Sequence, residues 1–366
     1  MTDRCDVAVI GAGPAGCAAA RVLAQGGAKT VLLERERLPR YKTCGGGLVH
    51  RAVRAAGVDL TPVVERPFSE ATINLHSIGQ RFLARRPYTI VSMTMRARLD
   101  QHLANAAVDA GAELRSPCGV RHGVLESGGV NLETDGGRLT AGIVIGADGA
   151  LGETAKWAGW RAEDDGRLLA PALEYEVTVD EPTMQRVGAE ARFDIGTVPW
   201  GYAWVFPKKN GLSIGVFSSR RGVHDLRHHV DVYLARLGID RPRAVDRHGY
   251  VIPLGPRRRL ARGPVVLVGD AAGVADPVTA EGISNALVSG RLAAEAILSS
   301  GGEPARLGET YHAALARELL PELRRARRAA SLLYEWPRVR NVLFRSMGSR
   351  IVDRLTGVFS GEKPYP

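Results

Sequence analysis

Gly11, Gly13 and Gly16 follow an apolar run in the string CDVAVIGAGPAGCAAARVLAQGGAKTVLLE, and Glu34 closes it. These residue types at this spacing suit the holding of a dinucleotide. Gly11 lets the chain turn sharply off a strand. Gly13 lacks a Cβ, so backbone N–H groups can approach a pyrophosphate. Gly16 allows a helix to pack closely on a sheet. Pro14 and Ala15 open that helix, whose N-terminus carries partial positive charge for phosphates. Glu34 lies 18 residues beyond Gly16, where its carboxylate can accept hydrogen bonds from ribose hydroxyls. A glycine turn that serves only packing is the alternative reading of the motif.

Two further strand-like runs end in an acid. IVIGADG places Asp148 after residues 143–147, and VVLVGDAA places Gly269 and Asp270 after residues 265–268. Tyr202, Trp204 and Phe206 alternate in GYAWVFPK, so they project from one face of a strand. They would either wall an apolar tunnel or fill a core. Pro207 and Lys208 end that strand, and Lys208 is read as solvated. His50, His76, His102 and His122 lack metal-ligand spacing, His228 and His229 read as a surface pair, and no metal is expected.

The elements that must position these residues follow from pattern. Residues 1–60 read as a β-α-β unit. Residues 98–112 have helical spacing and stop at Gly111; segments 119–127 and 129–137 read as a hairpin. Residues 170–220 read as β-rich with little helix, and 262–298 return to strand, loop and a long small-residue helix. The last sixty or so residues read as helical and basic, either a solvated cap or a surface that rests on anionic membrane. The 366 residues are 45 % hydrophobic, enough for two packed units. Four cysteines without a CxxC pair argue against disulfides or zinc and fit a reducing compartment. No run approaches the roughly 20 apolar residues of a membrane span, so a cytoplasmic protein is expected. The net charge of +10 reads as solubility, or as attraction to anionic lipid or a pyrophosphate; scattered basic residues and 6 % aromatics argue against nucleic acid.

The glycine turn, the ADG and the GDAA segments together resemble FAD-dependent oxidoreductases of the p-hydroxybenzoate hydroxylase structural type. Lys42-x-Cys44-Gly45-Gly46 after the second strand, residues 202–208, and Asp276-Pro277-x-x-x-Glu281-Gly282-Ile283 resemble, within that type, the geranylgeranyl reductase family. The likeness covers about residues 1–300 and, weakly, the ending Ser360-Gly361-x-x-Pro364-Tyr365. It implies an α/β fold: a Rossmann-type FAD-binding domain (1–63, 92–163 and 249–300), an inserted antiparallel β-rich substrate domain (64–91 and 164–248) and a helical C-terminal region (301–366). It implies FAD held by Gly11, Gly13, Pro14, Ala15, Gly16, Glu34, Arg35, Arg96, Asp148, Gly269, Asp270, Gly282 and Ile283. In that set Asp270 meets the ribityl hydroxyls, Arg96 approaches the phosphates, and the helix from Gly282 and Ile283 aims at the flavin.

The resemblance also implies reduction of C=C bonds in an isoprenoid substrate, with Cys44, Gly45 and Gly46 at the reacting centre and Tyr202, Trp204, Phe206 and Pro207 against the substrate. Cys44 is a proton donor, a polarisable contact or a structural thiol. A second glycine motif is absent, so NAD(P)H or a small electron carrier would reduce the flavin transiently. The alternatives are a flavin-dependent monooxygenase or halogenase, although WGYAWVFP departs from the halogenase pattern W-x-W-x-I-P, and a non-catalytic flavin-binding redox protein.

Overall fold

The computed structural model describes residues 3–366 except 221, 224, 240 and 241. Its first layer is a sheet in which β1 (Asp3–Ile10), β2 (Thr30–Leu33), β3 (Glu113–Arg115), β4 (Gly137–Gly146) and β5 (Val265–Leu267) run parallel in the order β5-β4-β1-β2-β3. Valine, isoleucine and leucine fill these strands, whose residues are buried in succession rather than alternately, so neither face can be polar. Segments 120–126 and 129–134 form the expected hairpin and extend β4.

Helix α1 (Pro14–Gln25) buries Ala15, Gly16, Cys17, Ala18, Ala19 and Ala20. Its small side chains let it lie against α4 (Ile283–Ser299), where a Cβ on Gly290 would fall 2.1 Å from the Ala15 carbonyl oxygen. Helix α2 (Arg96–Asp109) starts two residues earlier than its apolar spacing suggests.

The second layer is a seven-stranded sheet, ordered Ala244–Leu254, Leu168–Thr178, Leu212–Ser218, Gly201–Pro207, Ala191–Ile195, Glu70–Leu75 and Gln80–Arg85. All its pairings are antiparallel except Ala191–Ile195 with Glu70–Leu75. Strand Gly201–Pro207 is buried on both faces. Ala203 and Val205 pack under α3 (Leu226–Arg236) with Tyr233 and Leu234. Tyr202, Trp204 and Phe206 face the other way, toward Leu333, Tyr334 and Phe344 of the C-terminal helices, the last of which is α5 (Pro337–Phe359). The sequence reading missed the helix Glu181–Val187: Pro182 stands in its first turn and Asp180 caps it by accepting from the Thr183 N–H, a stop-start signal only seven residues long.

Under α3 lies a fully buried carboxylate. Asp194 accepts hydrogen bonds from Asn74, Arg192 and Tyr233, with His76 at 3.6 Å. Burial alone would raise its pKa, but the donors His76, Arg192, Tyr233 and Asn74 outweigh it and bring it down to about 2. A depressed carboxylate contributes stability above its unfolded value near 3.8 and loses it as pH falls toward 2. The ionised form therefore stabilises the fold by about 2 kcal/mol near neutral pH. Urea unfolding of Asp194→Asn should show a deficit of at least about that size from pH 5 to 8, narrowing between about pH 4 and 2. A deficit independent of pH would show that charge at Asp194 is irrelevant to stability.

Candidate active site

A cleft of about 590 Å³ opens where the two layers meet, within the range of small-molecule and cofactor sites. One end is built by the first β-α-β unit. Gly11 ends β1 at φ +106°, and a Cβ there would lie 2.5 Å from the Ala147 carbonyl oxygen. Gly13 is the N-cap of α1 and faces the cleft, since a Cβ on it would meet nothing nearer than Arg96 Nη2 at 3.9 Å. Pro14 and Ala15 line the cleft, while Gly16 lies beneath, against Gly11.

Glu34, buried at the tip of β2, accepts from the Ala12 N–H at 3.0 Å and from Arg40 at 3.2 Å. Arg40 also donates to Asp100 at 2.9 Å, and Arg96 grips Asp100 through two 2.8 Å bonds. Arg96 opens α2 from within the cleft wall, its side chain only 11 % exposed. Arg35 stands at the rim, its side chain 79 % exposed. The sequence reading did not find Arg40; its partners are separated from it by sixty residues in one case and six in the other.

The middle of the cleft carries two half-buried carboxyls. Asp148 accepts from the Thr154 N–H at 2.8 Å through Oδ2, while its buried Oδ1 has no hydrogen-bond partner. Burial holds its carboxyl above the ordinary range. Asp270 follows Gly269, which has φ +56°, and accepts from the Tyr250 hydroxyl at 3.3 Å. Burial pushes the Asp270 carboxyl up while the Lys42 and Arg96 cations pull it down. Lys42 stacks its ammonium 3.1 Å over the Tyr250 ring; burial first, then Arg96, lowers its pKa to about 8. Gly282 and Ile283 start α4 beside Asp270, a Cβ on Gly282 falling 3.3 Å from Asp270 Oδ1. A glycine cradle open to the cleft, a helix N-terminus, cations and an orphaned buried carboxylate oxygen together fit a pyrophosphate-bearing dinucleotide.

The far end is aromatic. Tyr202, Trp204 and Phe206 line it together with Phe193 and Phe217, which the sequence reading did not single out. The three are also core residues, between 6 % and 9 % exposed, so cleft wall and core are the same surface here. Pro207 ends the strand and is not among the cleft walls. The Cys44-Gly45-Gly46 loop sits directly on these rings: a Cβ on Gly45 would lie 2.9 Å from Phe206 and 3.1 Å from Trp204 Nε1. Gly46, at φ +77°, has the Thr94 carbonyl oxygen 2.1 Å from where a Cβ would stand. The loop is pinned by Glu174, which accepts from the Cys44 N–H at 2.8 Å and from the Ser213 hydroxyl at 2.6 Å. Lys208 is not solvated: only 4 % exposed, it pairs with Glu176 and lies 4.0 Å from Glu174. Just past the end of its strand, it turns inward onto two carboxylates of strand Leu168–Thr178, two places away in the sheet, a partner that no local pattern reveals.

Among the described residues no helix is long and apolar enough to cross a membrane, and no group of three or more His, Cys, Asp or Glu could hold a metal ion.

Comparison with known proteins agrees with this geometry. An FAD binding domain family model matches residues 4–313. Digeranylgeranylglycerophospholipid reductase 1 of Methanopyrus kandleri is 32 % identical over 311 residues, 79 % of this chain and 79 % of that one. Chloroplastic geranylgeranyl diphosphate reductase of Oryza sativa subsp. japonica is 30 % identical over 84 % of this chain and 69 % of its own. The crystal structure of a geranylgeranyl bacteriochlorophyll reductase-like protein from Thermoplasma acidophilum superposes with a TM-score of 0.79 at 25 % identity, covering 98 % of this chain and 92 % of that one. A flavin-dependent brominase, 18 % identical with a TM-score of 0.73, shares the fold alone. The dinucleotide cradle and the aromatic end thus sit in a chain that belongs to the geranylgeranyl reductase family of FAD-dependent oxidoreductases.

Proposed function

We propose that the protein reduces isolated C=C bonds of an isoprenoid, geranylgeranyl-type chain. The observation that carries this reading is the seat of Cys44-Gly45-Gly46 on Trp204 and Phe206, where the charged end of the cleft meets the aromatic end. An unactivated alkene must take a hydride at one carbon and a proton at the other, inside a dry and shaped cavity. Reduced FAD, when bound, supplies the hydride; NAD(P)H or a small electron carrier renews it.

The chain's residues bind, orient and exclude water. Gly11, Gly13, Pro14 and Ala15 would bring backbone amides and the α1 N-terminus to the pyrophosphate, with Gly16 keeping α1 close and Arg96 adding a cation. Glu34 and Arg35 would take the adenosine end. Asp270, turned by Gly269, would accept from the ribityl hydroxyls, and Asp148 Oδ1 is free to accept one more donor. Gly282 and Ile283 would set the α4 N-terminus against negative charge on the reduced ring. Tyr202, Trp204 and Phe206 would hold the chain, and Pro207 closes their strand. Cys44 Sγ, already accepting from the Gly46 N–H at 3.4 Å, is the group we assign to deliver the proton.

Cys44→Ala should retain FAD and lose about 10²–10⁴-fold in turnover, the usual worth of a positioned proton donor. The assay is mass spectrometry of prenyl lipids after incubation with flavin-loaded enzyme under reductant, each saturated bond adding two hydrogens. Unchanged turnover in Cys44→Ala would remove the thiol from the chemistry. No mass gain with any prenyl alcohol, diphosphate or lipid would overturn the reduction itself.

A further inference from the structure

The C-terminal helices present two unlike faces. Inward, Leu333, Tyr334 and Phe344 bound a small apolar cavity of about 60 Å³. That cavity shares Phe193, Tyr202 and Phe359 with the large cleft, so the two are neighbours with one wall between them. Outward, the same stretch leaves Leu332 41 %, Trp336 60 %, Val339 43 % and Val342 65 % exposed. Single exposed apolar residues are ordinary; four within residues 332–342, one of them a tryptophan at the break between the π-helical turn Ser331–Glu335 and α5, concentrate apolar surface that water does not favour. Nine arginines and two acids stand between 324 and 354. Arg338, Arg345 and Arg350 are exposed and have no ion-pair partner among the described residues, whereas Asp353 is already tied to Arg86.

We propose that this outer face docks on the surface of an anionic lipid bilayer, with Trp336 at headgroup level and the arginines on lipid phosphates. Exposed apolar side chains set among cations are the pattern of a segment that lies in a membrane interface. A second copy of the chain is a poor occupant, because two such faces would bring like charges together. The inference rests on the reading of an isoprenoid substrate: the apolar cavity lies behind these helices and beside the cleft, so docking would bring a prenyl chain in the bilayer close to the cleft.

The test is co-sedimentation of the FAD-loaded protein with vesicles of phosphatidylcholine alone and of phosphatidylcholine mixed with phosphatidylglycerol. Binding is expected on the anionic vesicles only, weakening as salt shortens the reach of the charges. Trp336→Ser/Val342→Ser and Arg338→Glu/Arg345→Glu should each weaken binding about tenfold or more, while turnover of detergent-dispersed substrate stays at the wild-type level. Failure of the wild type to bind anionic vesicles, or binding at the wild-type level by both double variants, overturns the proposal. So does a Trp336→Ser/Val342→Ser chain that changes oligomeric state but not vesicle binding, since the face would then join two copies. Vesicle binding through this face without saturation of any prenyl chain would instead overturn the reading of the substrate and leave the docking surface standing.

Discussion

Gly16→Val is expected to yield a chain that no longer retains FAD. A Cβ at position 16 would stand 1.9 Å from the Gly11 carbonyl oxygen and 3.2 Å from the Ala147 Cβ. The nearest atom is backbone, at the turn off β1, so no side chain can rotate away. Helix α1 would have to lift off the sheet, and its N-terminus and the Gly13 amide region would leave the cleft with it. Helix α1 is also in close contact with Gly290 of α4, where the Ala15 carbonyl oxygen is 2.1 Å from a Cβ position, which limits its room to move. Overpacking of this kind costs about 1–3 kcal/mol or more, which at the upper end is about 100-fold in cofactor affinity. Gly27→Ala is the control: its φ is +82° but nothing lies within 4 Å of the added atom. That variant pays only the left-handed strain, about 1 kcal/mol of stability, and should keep its flavin. The measurement is the flavin-to-protein absorbance ratio after gel filtration, with far-ultraviolet circular dichroism to confirm folding. Stoichiometric flavin in a folded Gly16→Val chain would show that close packing of α1 does not shape the cofactor site.

The second large effect concerns Asp276, a 1 % exposed carboxylate behind the loop that leads into α4. Its Oδ1 accepts from the Val278 N–H at 2.9 Å, the Thr279 N–H at 3.0 Å and the Thr279 hydroxyl at 3.1 Å. Its Oδ2 accepts from Arg51 at 3.3 Å, and the Tyr365 hydroxyl stands 3.0 Å from both oxygens. The loop it organises includes Ala280 at φ +55°, a conformation an alanine adopts only when its surroundings impose it. Asp276→Leu leaves Arg51 with Glu281 alone, at 3.2 Å, and unpairs two backbone amides. The expected loss is about 3–5 kcal/mol, the scale for breaking a buried ion pair. Tyr365→Phe removes one hydrogen bond from the same carboxylate and should cost about 1–2 kcal/mol. Because both act on one network, the double variant should lose less than the sum of the singles. Thermal or urea unfolding of the four proteins measures this. Strict additivity would mean that the tail and the loop are independent, and that Tyr365 merely fills space.

Local chemistry explains which features could be read directly. The Gly11-Gly13-Gly16 turn, the hairpin of 120–134 and the start of α4 at Ile283 are specified by residues within a few positions of one another. There a glycine's missing Cβ or an apolar period leaves little choice of backbone. The alternation of Tyr202, Trp204 and Phe206 likewise gives one shared face through the two-residue repeat of a strand. Helix Glu181–Val187 was hidden inside a β-rich stretch because it spans barely two turns.

Side-chain partners were a different matter. Arg40 sits between Glu34 and Asp100, Glu174 holds the Cys44 amide from 130 residues away, and Tyr365 reaches Asp276 across 89. Lys208 looked like a solvated strand end until pairing of strands placed Glu176 beside it. The sequence by itself determined the nucleotide cradle, the aromatic strand and the family, since each is written in short-range spacing. Only the tertiary structure decided that the Cys44 loop rests on Trp204 and Phe206, and that Tyr365 holds Asp276 in the loop before α4. Those contacts depend on how distant elements register against one another, and side-chain spacing along the chain carries no record of that register.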